Sequence, residues 1–553
     1  MAQDDVVEVT ALSPSKKGQL TSWRLIAVIG SLYLGVFLFG LDVTIVSVAI
    51  PHITTEFESL PDVAWYGSAY MLTLTAFQPL FGNLYKYFNA KIVYVTSLAV
   101  FEVGSIICAA APTSAILIFG RAWLGLGGAG LLQGALAVIG QTVTVDKVPL
   151  FQGIVVSSMA VSVCCGPVIG GALTQYINWH WCFWINLPAG VCAITIVILF
   201  VPLEQQGSKE GNRSLPLSEK LRHMDFLGLV MFLGAICCLL LAMTWGGQTY
   251  PWADQKIIGL FVGAGCLILC FCYWLVRQGE LALIPVRVLK KRSVYVGALA
   301  LVGFGMISVV YGYYLPILFQ SAQGVSTTES GIRYIALVGP QLVALIIIGG
   351  IVSRWGYYVP YMIAGSIICT IGAGLLTTIN LSTPTVQWAA YLVITGLGLG
   401  MAGQLPYTAV QAVLTAEDVA IGNAINVFSF HLAGAVGTAI GQALLIDGLR
   451  IAVPRYTDAV TPDAVINAGA IGLEIVTTSP AVLNALRVAY VDAVRRTIIL
   501  GLAGICMVVP LSCAMEWVNI KQVAEGRLQA LESGPLPAER EELNSTVEKS
   551  SNS

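Results

Sequence analysis

Apolar stretches of about 20 residues recur along almost the whole chain, and short polar segments separate them. Each stretch is long enough to cross the roughly 30 Å hydrocarbon core of a bilayer as a helix. Only helices and closed barrels satisfy their backbone hydrogen bonds in lipid, so the pattern predicts an all-α polytopic membrane protein. The fourteen predicted spans are 25–50, 63–84, 92–111, 115–141, 151–174, 183–203, 226–246, 256–276, 294–319, 331–350, 358–378, 386–407, 419–446 and 498–517.

The spacing of these spans divides the chain into six spans, an extra pair and six further spans. The predicted order is a cytoplasmic tail 1–24, a six-helix bundle 25–203, a cytoplasmic loop 204–225, two extra helices 226–276, a cytoplasmic linker 277–293, a six-helix bundle 294–517 with an outer loop 447–496, and a cytoplasmic tail 518–553. Related loop segments, GNLYKYFN at 82–89 and GGIVSRWG at 349–356, follow the second and tenth spans. The two six-span halves are therefore predicted to be parallel repeats.

The distribution of basic residues predicts the orientation. Of the 28 Lys and Arg residues, twenty fall in segments on the side of the N-terminus, seven fall on the opposite side, and Arg121 alone lies within a span. Cytoplasmic loops favour Lys and Arg, so both termini are predicted to be cytoplasmic.

Composition excludes several other classes of protein. The chain is 57% hydrophobic and 10% charged, whereas soluble domains are about 25% charged. Its net charge of −2 gives no indication of nucleic-acid binding. The 13 cysteines lie mostly in apolar stretches and are interpreted as small buried residues, so neither a disulfide framework nor a metal site is expected. No P-loop, nucleophile elbow or HExxH motif occurs, and we expect no enzymatic activity.

Four motifs occur in order along the first half: LDVTIVSVAIP at 41–51, RAWLGLG at 121–127, GPVIGG at 166–171 and WHWCFWINLPAG at 179–190. Over roughly residues 25–517 the chain resembles the fourteen-span drug:proton antiporters of the major facilitator superfamily, in particular fungal toxin-efflux pumps. The resemblance implies the major facilitator fold, with two six-helix bundles and two extra central helices, and export driven by the proton gradient without a cofactor.

The GPVIGG motif is similar to the antiporter signature of that family, G-P-x-x-G-G. Pro167 cannot donate a helical hydrogen bond, so a kink is expected there. Gly166, Gly170 and Gly171 remove side-chain bulk and allow another helix to approach closely. We expect this helix to let the two halves close tightly on one side, and the alternative is ordinary helix packing.

The loop segments resemble the family's inner-loop motif through Gly82 in the first copy and Arg354 and Gly356 in the second. The first copy departs from the family pattern, because Lys86 stands where an aspartate is typical. This departure puts in question the inter-helix salt bridge attributed to that aspartate.

Three charged residues lie within predicted spans, where charge is costly and usually functional: Asp42, Glu102 and Arg121. A carboxylate that faces a cavity can take a proton on one side of the membrane and release it on the other, and a nearby Arg can control the release. The alternative is that Asp42 or Glu102 pairs permanently with Arg121 as a structural contact.

The other polar residues near spans carry weaker signals. Asp225, Glu417 and Asp418 precede spans and are interpreted as favouring helix N-termini. His431 is interpreted as a packing histidine. Uncharged polar residues that either line a cavity or bond helix to helix are Gln133, Gln141, Asn186, Gln404, Asn423 and Asn426.

The leading hypothesis is a proton-coupled exporter of a small, largely apolar organic compound, such as a fungal secondary metabolite, toxin or drug. The alternatives are an uptake permease for a nutrient or metal chelate on the same fold, and a membrane sensor that transports nothing. The resemblance implies the plasma membrane, while a vacuolar membrane would serve sequestration equally well. A monomer is expected, and Asn380 in the sequon Asn380-Leu-Ser382 is a possible glycosylation site.

Overall fold

The computed structural model describes residues 22–57, 62–144, 146–201, 216–222, 224–247, 250–325, 327–415, 417–468 and 473–533. Nearly all of these residues are helical, which confirms the all-α prediction. Most of both predicted tails and of the predicted loop 204–225 lies outside the described residues, so those domain limits stay predictions.

The first half contains α1 (Ser22–Phe57), α2 (Val63–Ala76), α3 (Gln78–Tyr87), α4 (Ala90–Ala109), α5 (Ser114–Thr142), α6 (Val148–Tyr176), α7 (Trp181–Trp184) and α8 (Asn186–Phe200). The middle segment contains α9 (Leu217–Arg222), α10 (Phe226–Trp245), α11 (Gln255–Gln278) and α12 (Val286–Leu289). The second half contains α13 (Arg292–Gln323), α14 (Thr327–Trp355), α15 (Val359–Leu376), α16 (Thr385–Ala402), α17 (Leu405–Val413), α18 (Val419–Tyr456), α19 (Pro462–Ala468), α20 (Leu473–Val476) and α21 (Pro480–Cys513), and α22 (Ile520–Ser533) follows it.

Among the described residues, twelve helices are both long and apolar enough to cross a membrane. The predicted second and fifth spans are not among them. The second is interrupted at Phe77, where a new helix begins with Pro79 in its first turn, a position that needs no backbone donor. The fifth falls on α6, which continues to Tyr176, but the described side chains give an uninterrupted apolar stretch only over Val148–Ser162. The count of fourteen spans is not confirmed and stays a prediction.

The predicted outer loop 447–496 contains the ends of two long helices. Helix α18 continues to Tyr456 and α21 begins at Pro480, so 457–479 is the part between them. Hydropathy marks where a helix leaves lipid, whereas the helix itself continues into water for as long as its backbone bonds stay satisfied. The sequence limits therefore locate the edge of the apolar region and not the helix ends.

Each half is held together by glycine contacts between neighbouring helices. A Cβ atom on Gly127 of α5 would lie 2.4 Å from the Phe101 nitrogen of α4, and one on Gly398 of α16 would lie 2.3 Å from the Cys369 nitrogen of α15. Apolar side chains gain little from one another in lipid, so such close backbone approaches provide the packing. The same contact occurs in both halves, as expected for repeats.

The antiporter-signature glycines pack within the first half. A Cβ on Gly166 would lie 2.0 Å from Thr44 Oγ1, and one on Gly170 would lie 2.7 Å from the Ile45 carbonyl oxygen. Both partners are on α1, in the same half, which is the ordinary helix packing given above as the alternative, and the role of this helix in closing the two halves stays a prediction. Gly171 is half-buried, and α6 continues through position 167, where the side chain lies outside the described part of the structure.

The two halves meet on the side that the charge pattern assigns to the cytoplasm, here called the inner side. A Cβ on Gly82 of α3 would lie 2.7 Å from Ala424 Cβ of α18, and one on Gly349 of α14 would lie 2.8 Å from the Pro149 carbonyl oxygen of α6. These glycines begin the two loop segments, so the loop repeat marks equivalent contacts in the two halves.

Both ends of the membrane domain lie on this inner side. The rings of Trp23, near the start of α1, and Phe200, at the end of α8, are 5.1 Å apart. Ser293, near the start of α13, donates a hydrogen bond to Glu516 just after α21 (2.8 Å). An even number of membrane crossings follows from this arrangement, whether it is twelve or fourteen.

We predict that tags at Met1 and Ser553 are protected from protease in intact cells, whereas a tag inserted after Asp458 is cleaved. The charge asymmetry and the shared inner side of both chain ends are the reason. Protease digestion before and after permeabilisation measures this. A tag at Ser553 on the side opposite to that at Met1 would mean an odd number of crossings and contradict the arrangement.

We predict that Gly170→Leu lowers the amount of folded protein together with transport. A leucine side chain would have to enter the space of the Ile45 backbone, and overpacking of this kind costs about 1–3 kcal/mol or more. Thermal unfolding and vesicle transport on the same purified sample measure it. Gly374→Leu is the matched control, because a Cβ at Gly374 of α15 meets nothing within 4 Å. Full stability with lost transport would instead support a role in switching.

Candidate functional site

Asp42 and Arg121 form an ion pair inside the first half. Helix α1 carries the carboxylate and α5 the guanidinium, and Arg121 Nη1 donates to Asp42 Oδ2. The side chains are 0% and 1% exposed. Removing one partner of such a pair leaves an uncompensated buried charge, at a cost of about 3–5 kcal/mol. The two predicted residues are therefore brought together, as the sequence interpretation allowed.

Arg121 is also held by groups other than Asp42. Its Nε donates to the Tyr66 carbonyl (2.8 Å), and its guanidinium lies 4.5 Å from the centre of the Tyr70 ring. The second carboxylate oxygen, Asp42 Oδ1, is buried without a hydrogen-bond partner among the described residues. Arg121 is therefore anchored by Tyr66 and Tyr70 as well as by Asp42.

Glu102 is brought near neither a cation nor a hydrogen-bond donor in the described structure. It lies on α4 with 7% of its surface exposed, and both carboxyl oxygens are buried without a partner. It packs against Gly190 of α8, where a Cβ would lie 1.7 Å from Glu102 Oε1. The glycine that ends the WHWCFWINLPAG motif therefore makes room for this carboxyl group. A permanent pair between Glu102 and Arg121 is not what the structure shows.

An ion pair links the two halves at the inner side. Lys86 Nζ of α3 lies 3.1 Å from Asp418 Oδ1, next to the start of α18, and the two side chains are 5% and 3% exposed. Arg287 Nη1 of α12 lies 2.8 Å from the other oxygen of the same carboxylate, and Asp418 raises the pKa of Arg287 above its ordinary value. A salt bridge therefore forms at this position with the charges exchanged, because a lysine stands where the family pattern has the acid.

The sequence analysis interprets Asp418 only as a residue that favours the start of a helix, and it does not predict the ion pair with Lys86. A signal was present in a second internal repeat, the segments 144–148 and 415–419, each of which runs from a threonine to the valine that starts a helix. The two turns have equivalent backbone bonds, since Val148 and Val419 each donate to the carbonyl of the threonine four residues earlier (3.2 Å). Aligning them places Asp418 opposite Lys147 in the other half.

The other inner-loop residues have different surroundings. Arg354 is exposed at the end of α14. Gly356 follows with φ of 84°, a left-handed conformation that favours glycine, and a Cβ there would lie 2.0 Å from Asn519 Oδ1. These two residues therefore terminate a helix and do not join the half-to-half ion pair.

The extra pair of helices is tied to the inner end of the first half by its linker. Asn83 Nδ2 of α3 donates to the Leu283 carbonyl (3.2 Å), and the Leu283 nitrogen donates to Asp225 Oδ2 (2.8 Å). Asp225 also caps α10 by accepting from the Gly228 nitrogen (3.0 Å). The predicted role of Asp225 at a helix N-terminus is correct. Its second contact, with the linker at Leu283, is not predicted by the sequence.

Two further predicted polar residues lie where the sequence suggested. His431 of α18 packs between the rings of Phe39 and Phe430, with its Nδ1 2.9 Å from the Val427 carbonyl oxygen, as a packing histidine would. Asn380 is exposed, and its Oδ1 accepts from the Ser382 nitrogen (3.0 Å). Glycosylation at Asn380 stays a prediction.

Comparison with known proteins identifies the family. Residues 32–438 match the model of the Major Facilitator Superfamily. The chain is 40% identical over 502 residues to an MFS-type efflux pump of Arthroderma benhamiae, covering 91% of this chain and 93% of the relative. It is 38% identical over 521 residues to an MFS-type transporter of Aspergillus oryzae, covering 94% of this chain and 90% of the relative. It is 36% identical over 524 residues to an efflux pump of Penicillium rubens, covering 93% of this chain and 96% of the relative.

Solved structures agree on the fold. The proton:xylose symporter XylE superposes with a TM-score of 0.56 over 91% of this chain and 99% of that chain, at 13% identity, which bears on the fold alone. The repeated halves, the inner contacts and the matched motifs all have the same explanation: this chain belongs to the major facilitator superfamily and is a multi-pass membrane transporter.

Proposed function

We propose that this transporter exports a small, largely apolar organic compound in exchange for protons. The observation that carries the proposal is the buried pair of Asp42 and Arg121, which leaves one carboxylate oxygen without a partner. Relatives named efflux pumps support the outward direction. The fungal secondary metabolites that such pumps handle are the substrates we propose for this chain.

Protonation of Asp42 is the step that couples the proton to the carrier. It removes the negative charge from the ion pair, while Tyr66 and Tyr70 keep the guanidinium of Arg121 in place. A buried cation then lacks its counter-charge, at a cost of about 3–5 kcal/mol. A cost of this size can shift a two-state equilibrium by a factor of about 150 to 5,000. The protonated first half therefore favours a different arrangement of the helices around Arg121.

Helix α6 transmits this change through α1. The signature glycines bring α6 against Thr44 and Ile45, within three residues of Asp42. Ser162 adds a hydrogen bond from its hydroxyl to the Phe37 carbonyl (2.8 Å). Helices α1 and α6 therefore move as one unit, and α6 is also the helix that contacts the second half at Pro149.

Glu102 is proposed as a second proton-binding group, because its buried carboxyl has no counter-charge in the described structure.

The arrangement of the halves fits a carrier whose inner side is closed. Glycine contacts and the Lys86–Asp418 pair close that side, so loading of substrate from the cytoplasm requires that they separate.

We propose a monomer in the plasma membrane. In the vacuolar membrane the same transporter would sequester its substrate in the vacuole. The uptake permease and the sensor have no observation in their favour, and the direction or absence of flux in sealed vesicles separates them from an exporter.

We predict that Asp42→Asn inserts normally but loses most proton-coupled export, because an amide cannot bind and release a proton. Efflux is measured at matched expression with and without an imposed pH gradient. Thr44→Ser, on the same helix, is the control for local disturbance and keeps its hydroxyl. If Asp42→Asn responds to the pH gradient as the wild type does, Asp42 is not in the proton path.

We predict that Lys86→Glu and Asp418→Lys each reduce export strongly, whereas the double variant recovers much of it. Each single change places like charges together in a nearly buried contact. The exchange restores the attraction between positions 86 and 418, while the lysine at 418 then faces Arg287, so recovery is expected to be partial. Efflux in the four-member mutant cycle measures the coupling. Additive losses in the double variant would show that the two residues do not interact during transport.

A further inference from the structure

The contact between the halves on the inner side contains uncharged amide side chains that are fully buried. The four that matter here each have 0% of their surface exposed, and they are Gln133, Gln152, Gln404 and Asn423. Long polar side chains are seldom buried completely, and in a membrane protein they usually have a hydrogen-bonding purpose.

The four amides form two pairs related by the internal repeat. Gln133 and Gln404 are 271 positions apart, and so are Gln152 and Asn423. The same spacing relates the threonine-to-valine turns that precede α6 and α18. Each half therefore contributes one amide from its fourth helix and one from its fifth to equivalent places.

Direct contacts place two of these residues at the junction of the halves. A Cβ on Gly153 of α6 would lie 2.8 Å from Gln404 Oε1, which belongs to the second half. Thr408 of α17 donates a hydrogen bond to Gln152 Oε1 across the same junction (3.2 Å). By the repeat, Gln133 and Asn423 occupy the corresponding positions on the other side of the pseudo-two-fold axis.

Most hydrogen-bonding atoms of these amides lack a partner among the described residues. Both amide atoms of Gln133 and of Asn423 are buried without one, as are Gln152 Nε2 and Gln404 Oε1. An unsatisfied buried donor or acceptor costs about 1–3 kcal/mol. The closed junction therefore contains groups whose hydrogen bonds are formed in another state of the carrier.

We propose that these four amides form the substrate-recognition site of the cytoplasm-open state, and that the substrate is an uncharged molecule with carbonyl or hydroxyl groups, such as an ester, lactone or ketone. Amides supply donors and acceptors without charge. The two buried ion pairs, Lys86 with Asp418 and Asp42 with Arg121, already hold their charges together. Neither pair therefore offers a counter-ion to a charged substrate. The inference rests on the proposed export function, because an exporter loads from this side.

The test is equilibrium binding of three dyes to the purified full-length protein, measured by fluorescence polarisation. The dyes are Nile red, which is uncharged and has a carbonyl group, the cation rhodamine 6G and the anion fluorescein. We expect the wild type to bind Nile red most tightly. Gln133→Leu and Gln404→Leu should each weaken Nile red binding about three- to tenfold, as expected for lost neutral hydrogen bonds.

Gln404→Glu distinguishes direct recognition of the dye by residue 404 from a change in the equilibrium between the closed and the cytoplasm-open states. A carboxylate at the site should increase rhodamine 6G affinity and decrease Nile red affinity, and a gain of binding also shows that the variant is folded. Gln141→Leu and Gln141→Glu are the matched controls, because Gln141 lies at the end of α5 and is exposed. Neither control should change the order of the three dyes.

Three results would overturn the site. These are absent or unselective Nile red binding by the wild type, unchanged Nile red affinity in both leucine variants, and a gain of rhodamine 6G affinity in Gln141→Glu equal to that in Gln404→Glu. Binding is measured without a proton gradient, so failure of proton coupling leaves it unaffected. Gradient-driven efflux with unchanged dye affinities in the variants would reject the site and leave the proposed function intact.

Discussion

The membrane removes water from the surroundings of almost every helix, and the rest of the structure follows from that constraint. Backbone groups must be satisfied within each span, which makes the spans helical. Apolar side chains no longer drive association, so the helices are held by close backbone approaches at glycine. Gly127 against Phe101 and Gly398 against Cys369 show this contact once in each half. The glycines of the antiporter signature use the same contact to fix α6 on α1.

The same constraint makes each polar contact inside the protein informative. Within the first half, Arg121 is held by Tyr66 and Tyr70 in addition to Asp42, so it keeps partners in the same half when the ion pair is released. Between the halves, the contacts are of another kind. Lys86 and Asp418 lie at the inner rim, and most hydrogen-bonding atoms of the amides behind them have no partner among the described residues. A carrier needs strong contacts within its moving parts and weaker ones between them, and this division is visible in the polar groups.

The extra pair of helices is attached to both halves and is not a passive insertion. Its linker is held to α3 through Asn83 and Leu283, while the ring of Phe232 on α10 lies 5.1 Å from that of Phe428 on α18. Arg287, just beyond Leu283, reaches Asp418 at the junction. Separation of the halves on the inner side must therefore break or carry along contacts made by this linker. The insertion thus adds a further contact to the inner gate.

The sequence by itself determined the all-α class, twelve of the fourteen predicted spans, the family and the residues that lipid makes expensive. These follow from local composition, because hydropathy and motif order need no knowledge of which helices touch. The tertiary structure alone decided the partners. Asp42 and Arg121 are 79 positions apart, and Lys86 and Asp418 are 332 apart. It also showed that Gly170 packs against α1, and that Lys86 forms a salt bridge where the family pattern has an acid. Such pairings depend on how distant helices are aligned, and that alignment is set by the packing of the whole bundle.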